Sequence, residues 1–193
     1  MDIGKAFIDA WNIYTKNFIV VFLAGIVAVL LCWLVSPAIG FQMMFIKAGK
    51  GTPIVFNDVF AAFDRFGALV LGSLLIILLL LLCFLPAAIC FLMNWDILGV
   101  LLIIAGLSLG IYLAVCWIFS LLMICDQGLS LGAALASSRA LVIKNGWWTH
   151  FLLLVLVGIV AGIGKALLGI GVLLTIPLGI GALTCAYAEE SAK

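Results

Sequence analysis

From Gly67 to Met93 the chain carries no charged residue, and Leu74–Leu85 is apolar without interruption. Ile97–Ile124, Trp147–Ile163 and Ala166–Tyr187 are likewise free of Asp, Glu, Lys and Arg. A hydrocarbon core roughly 30 Å thick takes a helix of about 17–25 apolar residues, and each stretch is long enough. In lipid every backbone amide needs an internal partner. No barrel-like alternation runs along these stretches, so they are expected as helices. Hydrophobic residues make up 68% of the chain and charged residues 9%. That leaves too little polar material to cover a soluble surface. A net charge of +1 also lacks the clustered basic face that a nucleic-acid partner requires.

Three shorter stretches differ in kind. In Asp2–Asn17, Ile3, Phe7, Ala10, Trp11 and Tyr14 follow the spacing of one helical face, with Lys5, Asp9, Asn12 and Lys16 elsewhere. Ile54–Phe66 repeats the design with Val55, Val59, Ala62, Phe63 and Phe66 in line; Ser130–Asn145 does so more weakly. Shifting the first stretch by 128 positions lays Gly4 on Gly132, Ala6 on Ala134, Phe7 on Leu135, Lys16 on Lys144 and Asn17 on Asn145. The pattern implies an internal repeat of three units, about 2–53, 54–129 and 130–193, within one integral membrane domain. Short amphipathic helices of this type lie in the membrane interface.

Phe18–Ile46 holds 29 residues, too many for one ordinary span and too few for two. Ser36-Pro37 reads as a helix start and divides it into Phe18–Val35 and Pro37–Ile46. If the segment doubles back, Lys5, Lys16, Lys47, Lys50, Arg65, Arg139, Lys144 and Lys193 share one side, with only Lys165 opposite: eight against one. A single crossing leaves Lys5, Lys16 and Lys165 facing six. Basic residues collect on the cytoplasmic side, so the doubled-back form is favoured. The expectation is an all-α bundle of six membrane segments, the first pair short, with both termini and all three amphipathic helices cytoplasmic. Five crossings is the alternative. No cleavable signal peptide is apparent: the first apolar run starts at Phe18 and is too long.

Polar residues within lipid are the first places to look for function. Gln42 is expected to hydrogen-bond between helices. Thr175, just before Pro177, is expected to bond a backbone carbonyl and ease the proline break, and Ser73, Ser108 and Ser120 to bond carbonyls in the same way. Lys165 is placed in the turn between the last two spans, where it escapes the roughly 2.5–3.5 kcal/mol cost of a charge at the bilayer centre. His150 has no carboxylate in its own segment and, beside Trp147 and Trp148, reads as part of an interfacial aromatic belt. Asp126-Gln127-Gly128 is turn chemistry, with an ion pair expected from Asp126 to Arg139 or Lys144. Gly158 and Gly162 form a small-xxx-small pair suited to close helix packing, within one chain or between copies. The six cysteines lie in or beside apolar stretches with no CxxC pair, so free thiols are expected. Motifs for a hydrolase, a metalloprotease or a nucleotide site are missing.

Three stretches carry a resemblance. One is Ala6-Phe7 through Lys16-Asn17. Another combines Pro37-Ala38-Ile39-Gly40, Lys47-Ala48-Gly49-Lys50-Gly51 and Asn57-Asp58-Val59-Phe60-Ala61-Ala62-Phe63. The third runs from Asp126-Gln127-Gly128-Leu129-Ser130 through Ala134-Leu135 and Ser138 to Lys144-Asn145. Together they resemble a broad group of bacterial multi-pass membrane proteins that includes the membrane domain attached to some glycerophosphodiester phosphodiesterases. The chain departs from the group in being short between Asn17 and Pro37. The resemblance implies a membrane fold; with no phosphodiesterase domain alongside, it carries over no catalytic residue.

The expected function is that of a non-enzymatic protein of the bacterial inner membrane, without cofactor or metal. It would organise the membrane or bind membrane lipids, a second copy of itself or other membrane proteins. The alternative is a transporter or channel for a small or lipid-like solute entering between repeats.

Overall fold

The computed structural model describes residues 2–31, 35–166 and 171–191; side chains at 165–166 and 172–174 lie outside the description. Helix α1 (Ile3–Lys16) starts at Asp2, whose Oδ1 accepts the Lys5 N–H at 3.2 Å, the usual N-cap bond. Its buried face is Ala6, Ala10 and Tyr14. Trp11 was expected on that face but is 54% exposed, so the helix is rotated to turn Ile8 and Trp11 outward. At Asn17 the chain bends by 106° into α2 (Phe18–Leu30).

Helix α3 (Val35–Gly49) returns beside α2. Asn12, Lys16 and Asn17 share a cavity of about 400 Å³ with Gly51, Thr52 and Pro53. The start of α2 and the end of α3 are therefore together, and the segment doubles back. The 13 residues of α2 cover about 20 Å at 1.5 Å per residue, short of a full crossing. The break expected at Ser36-Pro37 lies one residue inside α3.

The spacing in Ile54–Phe66 predicts an α-helical face. The structure has a 3₁₀ helix, Phe56–Arg65, with Val59 and Ala62 buried on α3 and Val55 exposed. At three residues per turn, positions i and i+3 eclipse. Phe60, Phe63 and Phe66 accordingly line up, with Phe56 leading them, at ring separations of 6.2, 5.9 and 5.8 Å. The helix thus has two apolar edges, one against protein and one outward. Gly40 of α3 makes the approach close, because a Cβ there would run into the Val59 carbonyl. Lys47 and Asp58 form an ion pair across the same contact.

Helices α4 (Phe66–Leu82) and α5 (Leu85–Leu92) occupy the expected span Gly67–Met93, broken at Cys83-Phe84. Pro86 has no N–H to offer the carbonyl one turn back, which ends α4. Helix α6 (Asp96–Cys116) lies antiparallel to this pair: a Cβ on Gly99 would meet Phe91, and one on Gly106 the Cys83 carbonyl. The expected span Ile97–Ile124 also breaks, and resumes as α7 (Ser120–Asp126). The turn at Gly128 (φ +69°) leads to α8 (Leu131–Asn145), then α9 (Trp147–Ala166) and α10 (Val172–Ser191). Lys165, expected in the turn between spans ending at Ile163 and starting at Ala166, lies instead in the last turn of α9; its side chain, residues 167–170 and Cys32 lie outside the described residues. The other five cysteines are free thiols.

Three helices among the described residues are long and apolar enough to cross a membrane: Phe56–Leu82, Asp96–Asp126 and Trp147–Gly164. The bent pair α1–α2 would make a fourth. The expected segment Ala166–Tyr187 is described as helix from Val172 onward.

Candidate functional site

Where α6 ends at Cys116, a carbonyl and an N–H lose their helical partners. Ser138, wholly buried on α8, satisfies both: its Oγ–H donates to the Cys116 carbonyl at 2.8 Å, and its oxygen accepts the Phe119 N–H at 3.2 Å. Ser138→Ala leaves both groups buried and unpaired. It is expected to lower stability by about 1–3 kcal/mol, read as a lower melting temperature in the same detergent.

This repair seats Phe119 at the centre of a polar layer. Its ring stands edge-on to His150 at 5.7 Å and beside Tyr187 at 5.3 Å. His150 Nε2 lies 2.8 Å from Glu190 Oε2, and both side chains are 0% exposed. His150 Nδ1 lies 2.9 Å from the Gly146 carbonyl. A carbonyl only accepts, so Nδ1 carries a hydrogen. One further proton then lies between Nε2 and Oε2. Whichever atom holds it, the pair is neutral overall, which is how buried ionisable groups are tolerated. Glu190 Oε1 has no hydrogen-bond partner among the described residues.

One helical turn back, the Tyr187 hydroxyl donates to Asp126 Oδ2 at 2.8 Å and accepts from Gln127 Nε2 at 3.0 Å. Lys50 Nζ stands 4.0 Å from Asp126 Oδ1, and Lys5 Nζ is 3.8 Å from Glu189. The layer ties together the ends of α3, α7 and α10 and the start of α9.

Several expected site residues fall elsewhere. Asp126 pairs with Tyr187 and Lys50, and no ion pair among the described residues joins it to Arg139 or Lys144. The reason is the orientation of α8: it buries Ala134, Ser138 and Val142, which leaves Arg139 and Lys144 on its outer side with Ala136, Ala140 and Ile143. Gln42 is half-buried and makes no hydrogen bond among the described residues. Thr175 Oγ donates to the Gly171 carbonyl at 3.0 Å; that is a backbone bond, though not to the carbonyl that Pro177 frees. Ser73, Ser108 and Ser120 donate to carbonyls three or four residues back. Gly158 and Gly162 are exposed, and a Cβ on either meets nothing within 4 Å. Close packing falls instead on Gly179 against Val157 and Gly181 against the Phe45 ring.

The pairing of His150 with Glu190 escapes a reading confined to single segments. A turn at Lys165, as the sequence suggests, would set 150 opposite 180 and not 190, so the partner is not found from the sequence. A His–carboxylate pair is also the orienting half of a catalytic triad. Here neither side chain reaches solvent, and no group of three His, Cys, Asp or Glu suited to a metal occurs among the described residues.

The fold and this layer define a class: an all-helical protein with helices long and apolar enough for a membrane, locked at one end by buried polar contacts. No family model, no curated protein and no solved structure matches the chain.

Proposed function

We propose that this chain is a non-enzymatic organiser of the bacterial cytoplasmic membrane, holding a second copy or another membrane protein against its central hairpin. One observation carries the reading: α4–α6 is nearly bare. In each of its two candidate spans, only 11% of the most apolar 18-residue stretch is buried. Leu92 and Ile97 at the tip are 84% and 82% exposed. Apolar surface of this extent must be covered by acyl chains or other helices. Photo-crosslinkers at Leu78 and Leu101, used in native membranes, are expected to capture a discrete protein, either a second copy or another membrane helix. Crosslinks to lipid alone would remove the organiser role.

A second reading is a carrier of lipid-like solute, favoured by an apolar crevice of about 160 Å³ between α2, α3 and α10. Liposomes holding the purified protein and a fluorescent phospholipid separate the two. An organiser leaves the lipid in its leaflet; a carrier moves it across.

We read the architecture as three units of surface helix plus hairpin. The 128-residue shift carries Ile3–Lys16 onto 131–144, against the observed Leu131–Asn145. Lys5 with Glu189, Lys50 with Asp126, and Arg65 beside Gly128 gather basic residues at one end of the bundle, which the positive-inside rule assigns to the cytoplasm together with both termini. Single cysteines at positions 47 and 50, in a background without the native cysteines, are expected to react with an impermeant maleimide only when the cytoplasmic face is open. Labelling from the outside would reverse the orientation.

A further inference from the structure

The surface helix α1 does not close flat onto the bundle. Between it and the ends of α3 and α10 lies a groove of about 570 Å³. Its polar lining is Lys5, Asp9, Asn12, Lys16, Lys50 and Glu189. Lys5 is engaged by Glu189 at 3.8 Å and Lys50 by Asp126 at 4.0 Å. Lys16 and Asp9 have no ion-pair partner among the described residues. They stand two turns apart on one face of α1, about 10 Å along the axis at 1.5 Å per residue, with the Asn12 amide between. The groove thus offers one uncommitted cation, Lys16, and one uncommitted anion, Asp9; its third lysine, Lys50, is met by Asp126 outside the lining.

Below the groove, along the same seam of α3 and α10, lies the apolar crevice of about 160 Å³, lined by Gly25, Ala28, Ala38, Phe41, Pro177 and Ile180 with no polar surface. Apolar cavities of about this size stay dry and take apolar ligands. Phe45, packed on Gly181, marks the boundary. The step from Gly49 to Phe41 on α3 and from Glu189 to Ile180 on α10 is roughly 12 Å at 1.5 Å per residue, from a charged mouth to an oily floor. Ile8 and Trp11, 62% and 54% exposed, turn the other side of α1 outward, as an interfacial helix does.

We propose that this seam is a binding site for a zwitterionic phospholipid with a primary amine, the phosphoethanolamine type. Lys16 meets the phosphate, Asp9 and Asn12 accept from the ammonium, and one acyl chain enters the crevice. The unpaired Lys16 and Asp9 argue for this headgroup: a net anion would leave Asp9 facing like charge, and a quaternary amine has no N–H to donate. The inference rests on the chain residing in a membrane and holds for either functional reading.

Incorporation into nanodiscs tests residence in a membrane separately. Once the protein is incorporated, the retained lipid is measured by native mass spectrometry. The discs contain phosphatidylethanolamine, phosphatidylcholine and phosphatidylglycerol with identical acyl chains. Phosphatidylethanolamine is expected to be retained several-fold over the other two. Asp9→Asn should erase that preference, whereas Lys16→Gln should weaken retention of all three alike. Both positions lie on the surface helix, and unchanged melting temperatures verify folding. Water-soluble glycerophosphoethanolamine at millimolar concentration should displace nothing. Equal retention of the three lipids overturns the site, as does a preference that survives Asp9→Asn. Full displacement by the soluble headgroup overturns the lipid and assigns the groove to a free phosphoester.

Discussion

His150→Leu is expected to destabilise the folded protein by about 3–5 kcal/mol, the range for removing one member of a buried charged pair. The substitution leaves the Glu190 carboxyl, with a side chain 0% exposed, without a bond at either oxygen, since Oε1 already lacks one. Glu190→Leu is expected to be milder, about 1–3 kcal/mol, because it strands only the Nε2 of a ring whose Nδ1 still donates to Gly146. The double replacement should fall well below the sum of the two, since apolar groups of similar volume often stand in for a buried pair at little loss. Melting in one detergent provides the readout. For a chain of this size 1 kcal/mol shifts the midpoint by roughly 2–4 °C, so His150→Leu alone should move it by about 6–20 °C. Additive effects of the two single replacements would show that the side chains act separately and that the polar layer does not hold the α9–α10 hairpin.

Much of the frame is legible in the sequence because membrane physics allows few solutions. Long uncharged stretches must be helices, and Asp2–Asn17 and Ser130–Asn145 place their helices to within a residue or two. Charge counting over Phe18–Ile46 selects the doubled-back form that the cavity between Lys16 and Thr52 displays. The breaks are less legible. Pro86 signals the one in Gly67–Met93, but the one after Cys116 has no proline or glycine beside it; there Ser138, 22 residues on from Cys116, supplies the missing bonds. The site is least legible, because its partners come from different hairpins. Asp126 has basic residues ahead of it in Arg139 and Lys144, yet its proton donor is Tyr187, 61 residues on. Glycine spacing also misleads: Gly158-x-x-x-Gly162 faces outward, while single glycines at Gly25, Gly40 and Gly181 sit at the close approaches.

Gly40→Ala and Gly158→Ala should therefore have opposite outcomes, although both lie inside helices. Each gains roughly 0.5–1 kcal/mol in helix preference over glycine. At Gly158 nothing lies within 4 Å of the new methyl, so the gain stands and the variant is neutral or slightly stabilised. At Gly40 the methyl meets the Val59 carbonyl. That oxygen belongs to the backbone of a 3₁₀ helix and cannot rotate aside as a side chain would. Overpacking of this kind costs about 1–3 kcal/mol, enough to cancel the helix gain, and Gly40→Leu costs more. The relief available is for Phe56–Arg65 to lift from α3, which parts Lys47 from Asp58 and uncovers Val59 and Ala62, now 0% and 1% exposed. Amide exchange is expected to accelerate across Phe56–Arg65 in Gly40→Leu while Leu74–Leu82 keeps its protection. Uniform acceleration through both regions would show that the 3₁₀ helix and the central hairpin open as one unit, and that Gly40 supports the whole bundle rather than a single surface contact.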